Sequence, residues 1–377
     1  MCEYLIRETG DHTEDWLSEM KKILVLTDAY LTRQLWEKGL RDALGNLYDS
    51  QEFRYLELRM DSPSSMKWST EPVKGVREAA GDLEQVEREV GNAEILVVHF
   101  APITADVMDA DKNLRLISSA RGGPVNVDVE AATKRGIIVT ATIGRLAPPV
   151  ADHTIGLLLA EVRHIARDHA AVMDGSYFAS QDPRRTRRIP VQEMEGKTIG
   201  IIGFGQVGRE VAKRARGFDL TVLAFDPYVD DATASKYDAV KVDLETLLKK
   251  SDFISINARE SPETYHLLGK KQFTMMKPTA YVVNTSRGSI IDEKALVEAL
   301  QNNQIAGAGI DVFEEEPLKK DNPLLRLKNV TITPHTAGGS DKSTLRSVGL
   351  AAGTVARYIK GEKFLPGEVF NPSVLEK

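Results

Sequence analysis

A glycine-rich hexapeptide stands near the middle of the 377-residue sequence, Gly203-Phe204-Gly205-Gln206-Val207-Gly208. The apolar run 198–202 before it predicts a buried strand, and the amphipathic run 206–216 after it predicts a helix. Glycines at these spacings allow a tight turn, a close approach of pyrophosphate to the backbone, and close packing of the helix on the strand. The first turn of such a helix has free N–H groups that bind phosphate. The segment therefore predicts a dinucleotide-binding loop.

A carboxylate marks the end of the next predicted strand. Asp226 follows the apolar run 221–225, at the offset of about twenty residues where an acidic side chain accepts hydrogen bonds from ribose hydroxyls. Its charge would repel the 2'-phosphate of NADP, and Pro227 stands where an NADP site would need arginine. The pattern favours NAD over NADP. The alternative is a glycine turn that merely packs tightly and is capped by Asp226.

Three further motifs follow the hexapeptide in the sequence: Asn284-Thr285-Ser286-Arg287-Gly288, Asp311-Val312-Phe313-Glu314-Glu315-Glu316-Pro317 and Thr333-Pro334-His335-Thr336-Ala337-Gly338-Gly339. In this order they resemble the D-isomer-specific 2-hydroxyacid dehydrogenase family, which includes phosphoglycerate, glycerate, D-lactate and formate dehydrogenases. The resemblance extends from Met20 to the end of the sequence. It implies hydride transfer between NAD and C2 of a small D-2-hydroxy acid, with a phosphoglycerate or a glyoxylate/hydroxypyruvate type of substrate.

The catalytic residues of the family correspond to Arg287, Glu316 and His335 in this sequence. Imidazole titrates close to working pH, which suits His335 as the base that removes the substrate hydroxyl proton. A carboxylate at Glu316 would hold the imidazole tautomer, and the planar guanidinium of Arg287 would bind a carboxylate and polarise the C2 carbonyl. The resemblance also places Asp311 near the nicotinamide carboxamide, although an aspartate that ends a strand is also an ordinary turn residue.

The segment 118–128 stands where the family has its glycine-rich substrate loop. The amides of Gly122 and Gly123 would bind the substrate carboxylate, because residues without side chains let backbone N–H groups approach an anion closely. Arg121 replaces a family glycine. We expect it either to contact a second acidic or phosphorylated group of the substrate or to form an outward salt bridge. His99 either lines the substrate pocket or is a strand-end histidine satisfied by the backbone.

Short apolar runs alternate with helical patterns in two series. The first series contains the runs 23–27, 95–99, 114–118 and 137–140, and the second contains 199–202, 221–225, 253–256, 281–283 and 330–332. This alternation predicts an α/β protein in which two parallel sheets are covered by helices on both faces. We expect two doubly wound domains, a flavodoxin-like substrate domain (1–145 plus 337–377) and a Rossmann domain (146–336), with the active site in the cleft between them.

Other segments give more local expectations. Apolar residues at helical spacing over 149–173 predict one long helix, which the polar linker 181–190 follows. A last amphipathic helix is predicted over 343–359. The polar, proline-containing stretch 61–75 is typical of a long loop.

Composition restricts the possible partners and compartments. The net charge of -6 and the absence of a long basic run argue against nucleic acid. No run in the sequence reaches the roughly 18 apolar residues of a spanning helix. The one cysteine, Cys2, forms no internal disulfide, and the histidines show no metal-binding spacing. We expect a cytoplasmic protein without a metal, and the family resemblance implies a homodimer.

Two other functions remain open at this point. A cofactor-sensing corepressor on the same fold would keep both NAD binding and the catalytic residues. A formate or phosphite dehydrogenase would use the same cofactor on a substrate that has no C2 hydroxyl.

Overall fold

The computed structural model describes residues 20–61, 65–66, 72–176 and 191–376. The strands of this part of the chain are β1 (Lys22–Thr27), β2 (Glu52–Glu57), β3 (Ser65–Met66), β4 (Gly81–Asp82), β5 (Ile95–Val98), β6 (Leu116–Ser119), β7 (Ile138–Ala141), β8 (Thr198–Ile202), β9 (Thr221–Phe225), β10 (Ala239–Lys241), β11 (Phe253–Ile256), β12 (Tyr281–Asn284), β13 (Gly307–Ile310) and β14 (Val330–Ile332).

The α-helices of the same part are α1 (Arg33–Leu44), α2 (Leu83–Glu89), α3 (Ala105–Asp109), α4 (Val129–Lys134), α5 (Ala147–Val162), α6 (Ile165–Met173), α7 (Gln206–Arg216), α8 (Asp231–Ser235), α9 (Leu244–Lys250), α10 (Lys270–Met275), α11 (Glu293–Gln301) and α12 (Asp341–Ile359). Short 3-10 turns cover Gly45–Ser50, Gly288–Ile290, Pro323–Arg326 and Pro372–Glu376. Within the described ranges, no helix is long and apolar enough to span a membrane.

The chain divides into two compact units, a first unit of residues 1–145 with 340–377 and a second unit of residues 146–339. The sheet of the first unit has the order β2-β1-β5-β6-β7, and neighbouring strands are parallel. Alternate residues of β1 enter different cores: Ile23 and Val25 pack on one face, while Leu24 and Leu26 pack on the other. Both faces of this sheet are therefore buried, as is typical of a doubly wound domain.

The last helix belongs to the first unit. Val348, Ala351 and Val355 of α12 pack in the same core as Trp36 of α1 and Val25 of β1. Helix α12 thus covers the face of the sheet to which Ile23 and Val25 of β1 contribute.

The second unit contains a seven-stranded sheet with the order β10-β9-β8-β11-β12-β13-β14, again with parallel neighbours. Tyr281 and Val283 of β12 face one core and Val282 faces the other. Parallel strands place their carboxyl ends at the same edge, and in such sheets ligands bind beyond that edge. The predicted α/β class with parallel, helix-covered sheets is confirmed.

The prediction of one long helix over 149–173 is wrong. Helix α5 ends at Val162 and α6 begins at Ile165, because His164 adopts the left-handed conformation with φ 59° and stops the first helix. The apolar spacing continues through the interruption, so the pattern alone does not reveal it. The linker 181–190 lies outside the described residues.

Three strands of the two sheets carry no apolar run and are absent from the sequence prediction: β2, β10 and β13. Strand β2 alternates charged with apolar residues at the edge of its sheet. Strand β13 reads Gly-Ala-Gly-Ile because helix α5 lies close to it. A Cβ atom on Gly309 would be 2.9 Å from Leu157 Cβ, and one on Gly307 would be 2.5 Å from Glu161 Oε2. Close packing removes the hydrophobic signal there.

Candidate active site

The glycine loop follows β8 at the carboxyl edge of the second unit's sheet. Gly203 has φ 87°, and a Cβ atom there would lie 2.5 Å from the amide nitrogen of Ala258, so a residue with a side chain does not fit. A Cβ atom on Gly208 would overlap the carbonyl oxygen of Gly203. Gly208 therefore lets α7 lie close to the loop and β8, as the sequence predicts, and Gly203 lets the loop approach the segment that follows β11.

The amino end of α7 is open. Its first backbone hydrogen bond runs from the Arg209 amide to the Gly205 carbonyl at 3.1 Å, and no side chain of the described residues caps the end. The helix therefore does not use the amides of Gln206 and Val207. Apart from Gly205 and its two chain neighbours, no heavy atom of the described chain lies within 4 Å of an added Cβ on Gly205. Free amides, a partial positive charge and open space are what a diphosphate requires, so these residues fit a dinucleotide.

Asp226 follows β9 and is tied to the same loop. Its Oδ2 accepts a hydrogen bond from the Phe204 amide at 2.8 Å, and its Oδ1 accepts one from the Tyr228 amide at 2.9 Å. The carboxylate is partly exposed. It is thus fixed beside the glycine loop with lone pairs remaining for ribose hydroxyls.

Arg287 lies on the loop that follows β12, and the side chain of Asn284, the last residue of that strand, holds the loop by hydrogen bonds. Asn284 Oδ1 accepts a hydrogen bond from the Ser286 amide at 3.0 Å, while Asn284 Nδ2 donates to the Arg287 carbonyl at 2.9 Å. The guanidinium of Arg287 donates to the Ser286 carbonyl at 2.8 Å. The next residue, Gly288, lies so close to Phe313 that an added Cβ would overlap the Phe313 carbonyl carbon. The loop that carries Arg287 is therefore packed against the segment that leads to Glu316.

His335 and Glu316 are hydrogen-bonded to each other. Nδ1 of His335 lies 2.7 Å from Oε2 of Glu316, and Glu316 Oε1 accepts a hydrogen bond from the Phe313 amide at 3.0 Å. The imidazole is 41% exposed and the carboxylate 18% exposed. No hydrogen-bond partner of His335 Nε2 occurs among the described residues. Nε2 is thus the ring nitrogen left for a ligand.

The environment shifts the pKa values of both groups toward the ion pair. The hydrogen bond to Glu316 raises the pKa of His335 above its ordinary value, although partial burial and the positive charge of Arg287 oppose this. Burial tends to raise the pKa of Glu316, but its hydrogen bonds with His335 and the Phe313 amide, together with the charges of His335 and Arg287, lower it overall. The pair can accept a proton at the imidazole and hold it there.

Asp311 organises the backbone around His335. It is fully buried, and its carboxylate accepts hydrogen bonds from the amides of Thr336 and Ala337, both at 3.0 Å, and from the Thr333 hydroxyl. The Asp311 carbonyl accepts a further bond from the His335 amide at 2.8 Å. His335 has φ 53°, a conformation that needs such support. Asp311 thus positions His335, while its predicted contact with the cofactor stays a prediction.

The predicted substrate loop belongs to the first unit, where it follows β6. Gly122 and Gly123 are partly exposed. An added Cβ on Gly122 would lie 3.6 Å from the Thr142 carbonyl oxygen, and one on Gly123 would meet no atom of the described chain within 4 Å. The backbone here is accessible, as an amide site for an anion requires.

Arg121 is buried, so its salt bridge is not the outward one that was expected, while its contact with a second substrate group stays a prediction. Its guanidinium forms an ion pair with the Glu78 carboxylate, donates to the Glu78 carbonyl at 2.7 Å and lies 5.3 Å from the centre of the Phe100 ring. The salt bridge is directed inward, not outward. Its charge is already balanced by Glu78, which leaves little of it for a second substrate group.

His99 is also buried, and its partner is a side chain and not the backbone. Its Nδ1 lies 2.9 Å from Asp28 Oδ2. Burial lowers the pKa of His99, and the nearby Arg145 and Arg121 lower it further against the effect of Asp28. The structure thus gives His99 a carboxylate partner, and its predicted contact with substrate stays a prediction.

Three further residues support the site, Asn284, Thr333 and His153, and none of them was predicted to be a site residue from the sequence. Asn284 could have been predicted from the sequence, because it is the first residue of the motif that contains Arg287. His153 of α5 lies 2.9 Å from Thr333 Oγ1, which is bonded to Asp311, and no spacing in the sequence indicates this contact. Among the described residues, no group of three or more His, Cys, Asp or Glu side chains could hold a metal ion.

Comparison with known proteins gives a consistent result. A sequence model described as D-isomer specific 2-hydroxyacid dehydrogenase, NAD binding domain, matches residues 155–337. A glyoxylate reductase of Thermococcus litoralis is 36% identical over 346 residues, which cover 92% of this chain and 97% of that protein. A D-3-phosphoglycerate dehydrogenase of Methanocaldococcus jannaschii is 38% identical over 281 residues; these cover 74% of this chain but 52% of that longer protein.

The fold is similar to solved structures as well. A D-lactate dehydrogenase of Aquifex aeolicus, solved with NAD and lactic acid, is 26% identical and superposes with a TM-score of 0.66. The similarity covers 90% of this chain and 96% of that one.

Proposed function

Because the chain belongs to the D-isomer specific 2-hydroxyacid dehydrogenase family, we propose that Arg287, Glu316 and His335 carry out its reaction. The protein is an NAD-dependent oxidoreductase that interconverts a 2-hydroxy acid and the corresponding 2-oxo acid. The observation that carries the catalytic assignment is the hydrogen bond of 2.7 Å between His335 Nδ1 and Glu316 Oε2.

His335 handles the proton. In the oxidative direction, neutral His335 accepts the proton of the C2 hydroxyl at Nε2, and in the reductive direction the imidazolium returns it to the C2 oxygen. Glu316 accepts a hydrogen bond from Nδ1, so it fixes the tautomer that leaves Nε2 free and stabilises the imidazolium that forms. NAD, when bound, supplies the hydride acceptor for oxidation and, as NADH, the hydride donor for reduction.

Arg287 supplies the positive charge. Its guanidinium pairs with the substrate carboxylate and polarises the C2 carbonyl, which stabilises the negative charge that develops on the oxygen during reduction. In the first unit, the accessible amides of Gly122 and Gly123 are proposed to bind a carboxylate of the substrate. The hydrogen bonds of Asn284 to Ser286 and Arg287 keep the Arg287 loop in place before substrate arrives.

The cofactor-binding residues are proposed from the geometry of the glycine loop. The loop of Gly203, Gly205 and Gly208, with the amides of Gln206 and Val207, would hold the diphosphate. Asp226 would accept hydrogen bonds from the adenosine ribose and disfavour a 2'-phosphate. The open space at Gly205 and the bonds from Phe204 and Tyr228 to Asp226 support this assignment.

The substrate is proposed to be of the glyoxylate/hydroxypyruvate or the phosphoglycerate type. The test is NADH oxidation by the purified protein with glyoxylate, hydroxypyruvate, phosphohydroxypyruvate and pyruvate, with NADPH in parallel. We expect turnover of at least one acid with NADH. Turnover of none of them, with NADH still bound, would favour a role as a cofactor sensor.

We also propose that the protein is a cytoplasmic homodimer, joined through the second unit as the family resemblance implies. Helix α6 of this unit supports the proposal, since it has no buried residue and exposes Ile165, Val172 and Met173. Sedimentation of the wild type and of the double variant Ile165→Asp, Met173→Asp tests the dimer. A monomeric wild type would contradict it, and cell fractionation tests the compartment.

A further inference from the structure

Among the described residues of the first unit, Arg145 has no carboxylate that balances its charge. Arg145 follows β7, and its Nη1 donates a hydrogen bond to the Ser347 hydroxyl at 2.9 Å. Its Nε atom is buried and has no acceptor. In the part of the chain that the structure describes, no Asp or Glu forms an ion pair with Arg145. The guanidinium is held in place but not neutralised.

Two other cationic or titratable groups that influence this region, Arg121 and His99, have acidic partners. Arg121 is paired with Glu78, and His99 is paired with Asp28. Burial lowers the pKa of Arg145 to about 10, and the charge of Arg121 contributes to the decrease. Arg145 is half-buried, and a charge partly removed from water without a counter-ion is unfavourable, so its presence points to an anion that binds from solution.

A second polar group lies three residues before Arg145 in the chain. Thr142 is 2% exposed, and its buried Oγ1 has no hydrogen-bond partner among the described residues. The Thr142 amide donates to the Arg121 carbonyl at 2.8 Å, and the Thr142 carbonyl accepts from the Arg145 amide at 3.3 Å. These bonds join the 142–145 turn to the loop of Gly122 and Gly123, whose amides are accessible. The carboxyl ends of β6 and β7 thus carry donors that have no acceptor among the described residues, including Thr142 Oγ1 and Arg145 Nε.

We propose that Arg145 and Thr142 bind a second anionic group of the substrate, a carboxylate or a phosphate, beside the glycine amides that bind the first. The inference rests on the proposed function and narrows it. The preferred substrates are then 2-oxo or 2-hydroxy acids that carry two anionic groups, such as oxaloacetate or phosphohydroxypyruvate, in preference to glyoxylate. The role that the sequence suggested for Arg121 thereby passes to Arg145.

A purely structural role for Arg145 makes a different prediction. If its bond to Ser347 served to anchor α12, replacement with glutamine would lower the unfolding temperature. If Arg145 instead serves to bind an anion, Arg145→Gln removes an unbalanced charge and leaves the unfolding temperature unchanged or raises it. Inorganic phosphate, used as the probe, would then raise the unfolding temperature of the wild type more than that of Arg145→Gln.

The decisive experiment compares kcat/KM for glyoxylate, oxaloacetate and phosphohydroxypyruvate in the wild type and in Arg145→Gln. Arg135→Gln is the matched control, because Arg135 lies in the same unit but is paired with Asp109 at 2.7 Å. We expect the preference for at least one doubly charged acid over glyoxylate to fall about 30-fold in Arg145→Gln, as for the loss of a charged hydrogen bond, and to stay unchanged in Arg135→Gln. The acid that loses more identifies the group as carboxylate or phosphate.

The outcomes separate the two proposals. Turnover of glyoxylate with an unchanged preference in Arg145→Gln overturns the anion site and leaves the proposed function intact. Absence of turnover on every acid overturns the proposed function, and the phosphate-dependent shift of the unfolding temperature then decides the anion site alone. Thr142→Val, which keeps the shape of the side chain, should lower the same preference even if Arg145→Gln does not fold.

Discussion

Nδ1 of His335 is hydrogen-bonded to Oε2 of Glu316 at 2.7 Å, and the His335 amide donates to the Asp311 carbonyl at 2.8 Å. The first contact sets the protonation of the imidazole, and the second sets its position. The same three residues lie in two of the motifs that identify the family, so the motifs describe one connected structure.

Glu316→Gln should shift the pH dependence of both directions to lower pH. The substitution removes the carboxylate that raises the pKa of His335, so this pKa falls. Oxidation requires neutral His335 and increases as the pH rises through this pKa; reduction requires the imidazolium and decreases there. Profiles of kcat/KM measure both limbs. Glu315→Gln is the control, since Glu315 is exposed and pairs with Lys319. Limbs that do not move would argue against the coupling.

Asp226→Ala should reduce the preference for NADH over NADPH about tenfold or more, since a charge-assisted hydrogen bond contributes roughly 1.5–3 kcal/mol. The carboxylate that would repel the 2'-phosphate is then gone. The ratio of kcat/KM for the two cofactors is the measurement. Asp321→Ala removes an equal charge from an exposed position of the same unit and should leave the ratio unchanged. A retained preference in Asp226→Ala would refute the assignment.

Gly288→Ala should destabilise the second unit by about 1–3 kcal/mol, the usual cost of overpacking, because the added Cβ would overlap the Phe313 backbone. The displaced loop carries Arg287, so kcat/KM should fall as well. Urea unfolding and steady-state kinetics measure the two effects. Gly349→Ala, at an open position of α12, should instead gain about 0.5–1 kcal/mol. Equal stability of the two variants would contradict the packing argument.

Asp311→Asn should lower kcat and the unfolding free energy, the latter by about 1–3 kcal/mol, because an amide group would face backbone donors. The dissociation constant of NADH, measured by fluorescence titration, should change little. Asp252→Asn is a matched control. Asp252 directly precedes β11, and its carboxylate accepts a hydrogen bond from the Thr198 amide at 3.0 Å. Loss of this carboxylate should reduce stability but not kcat. Weaker NADH binding in Asp311→Asn would instead support the predicted cofactor contact.

Much of the fold follows from the sequence because buried parallel strands appear as apolar runs. The runs 221–225, 253–256 and 330–332 coincide with β9, β11 and β14. No apolar run marks strand β13 in the sequence, because two of its four residues are glycines that the close approach of helix α5 requires. The break between α5 and α6 does not appear either, because it depends on the backbone conformation of His164.

In the candidate site, too, some residues can be predicted from the sequence, whereas the contacts of others are known only from the fold. Arg287, Glu316 and His335 lie in motifs whose order is informative, so they can be named from the sequence. The partners of Arg121 and His99 are Glu78 and Asp28, which are remote in the sequence and follow no periodic pattern. Arg145 differs from these residues because it has no counter-ion within the described ranges, and the sequence cannot show this because it depends on which side chains surround it in the fold.

The most direct test of the central claim is the transfer of deuterium to hydroxypyruvate from NADH that carries deuterium at both positions of nicotinamide C4, with the product analysed by NMR. We expect deuterium at C2 of D-glycerate with the wild type, and a rate about 10²–10⁴-fold lower with His335→Ala, whose NADH affinity is retained. Product without deuterium at C2, or an unchanged rate in His335→Ala, would contradict the account.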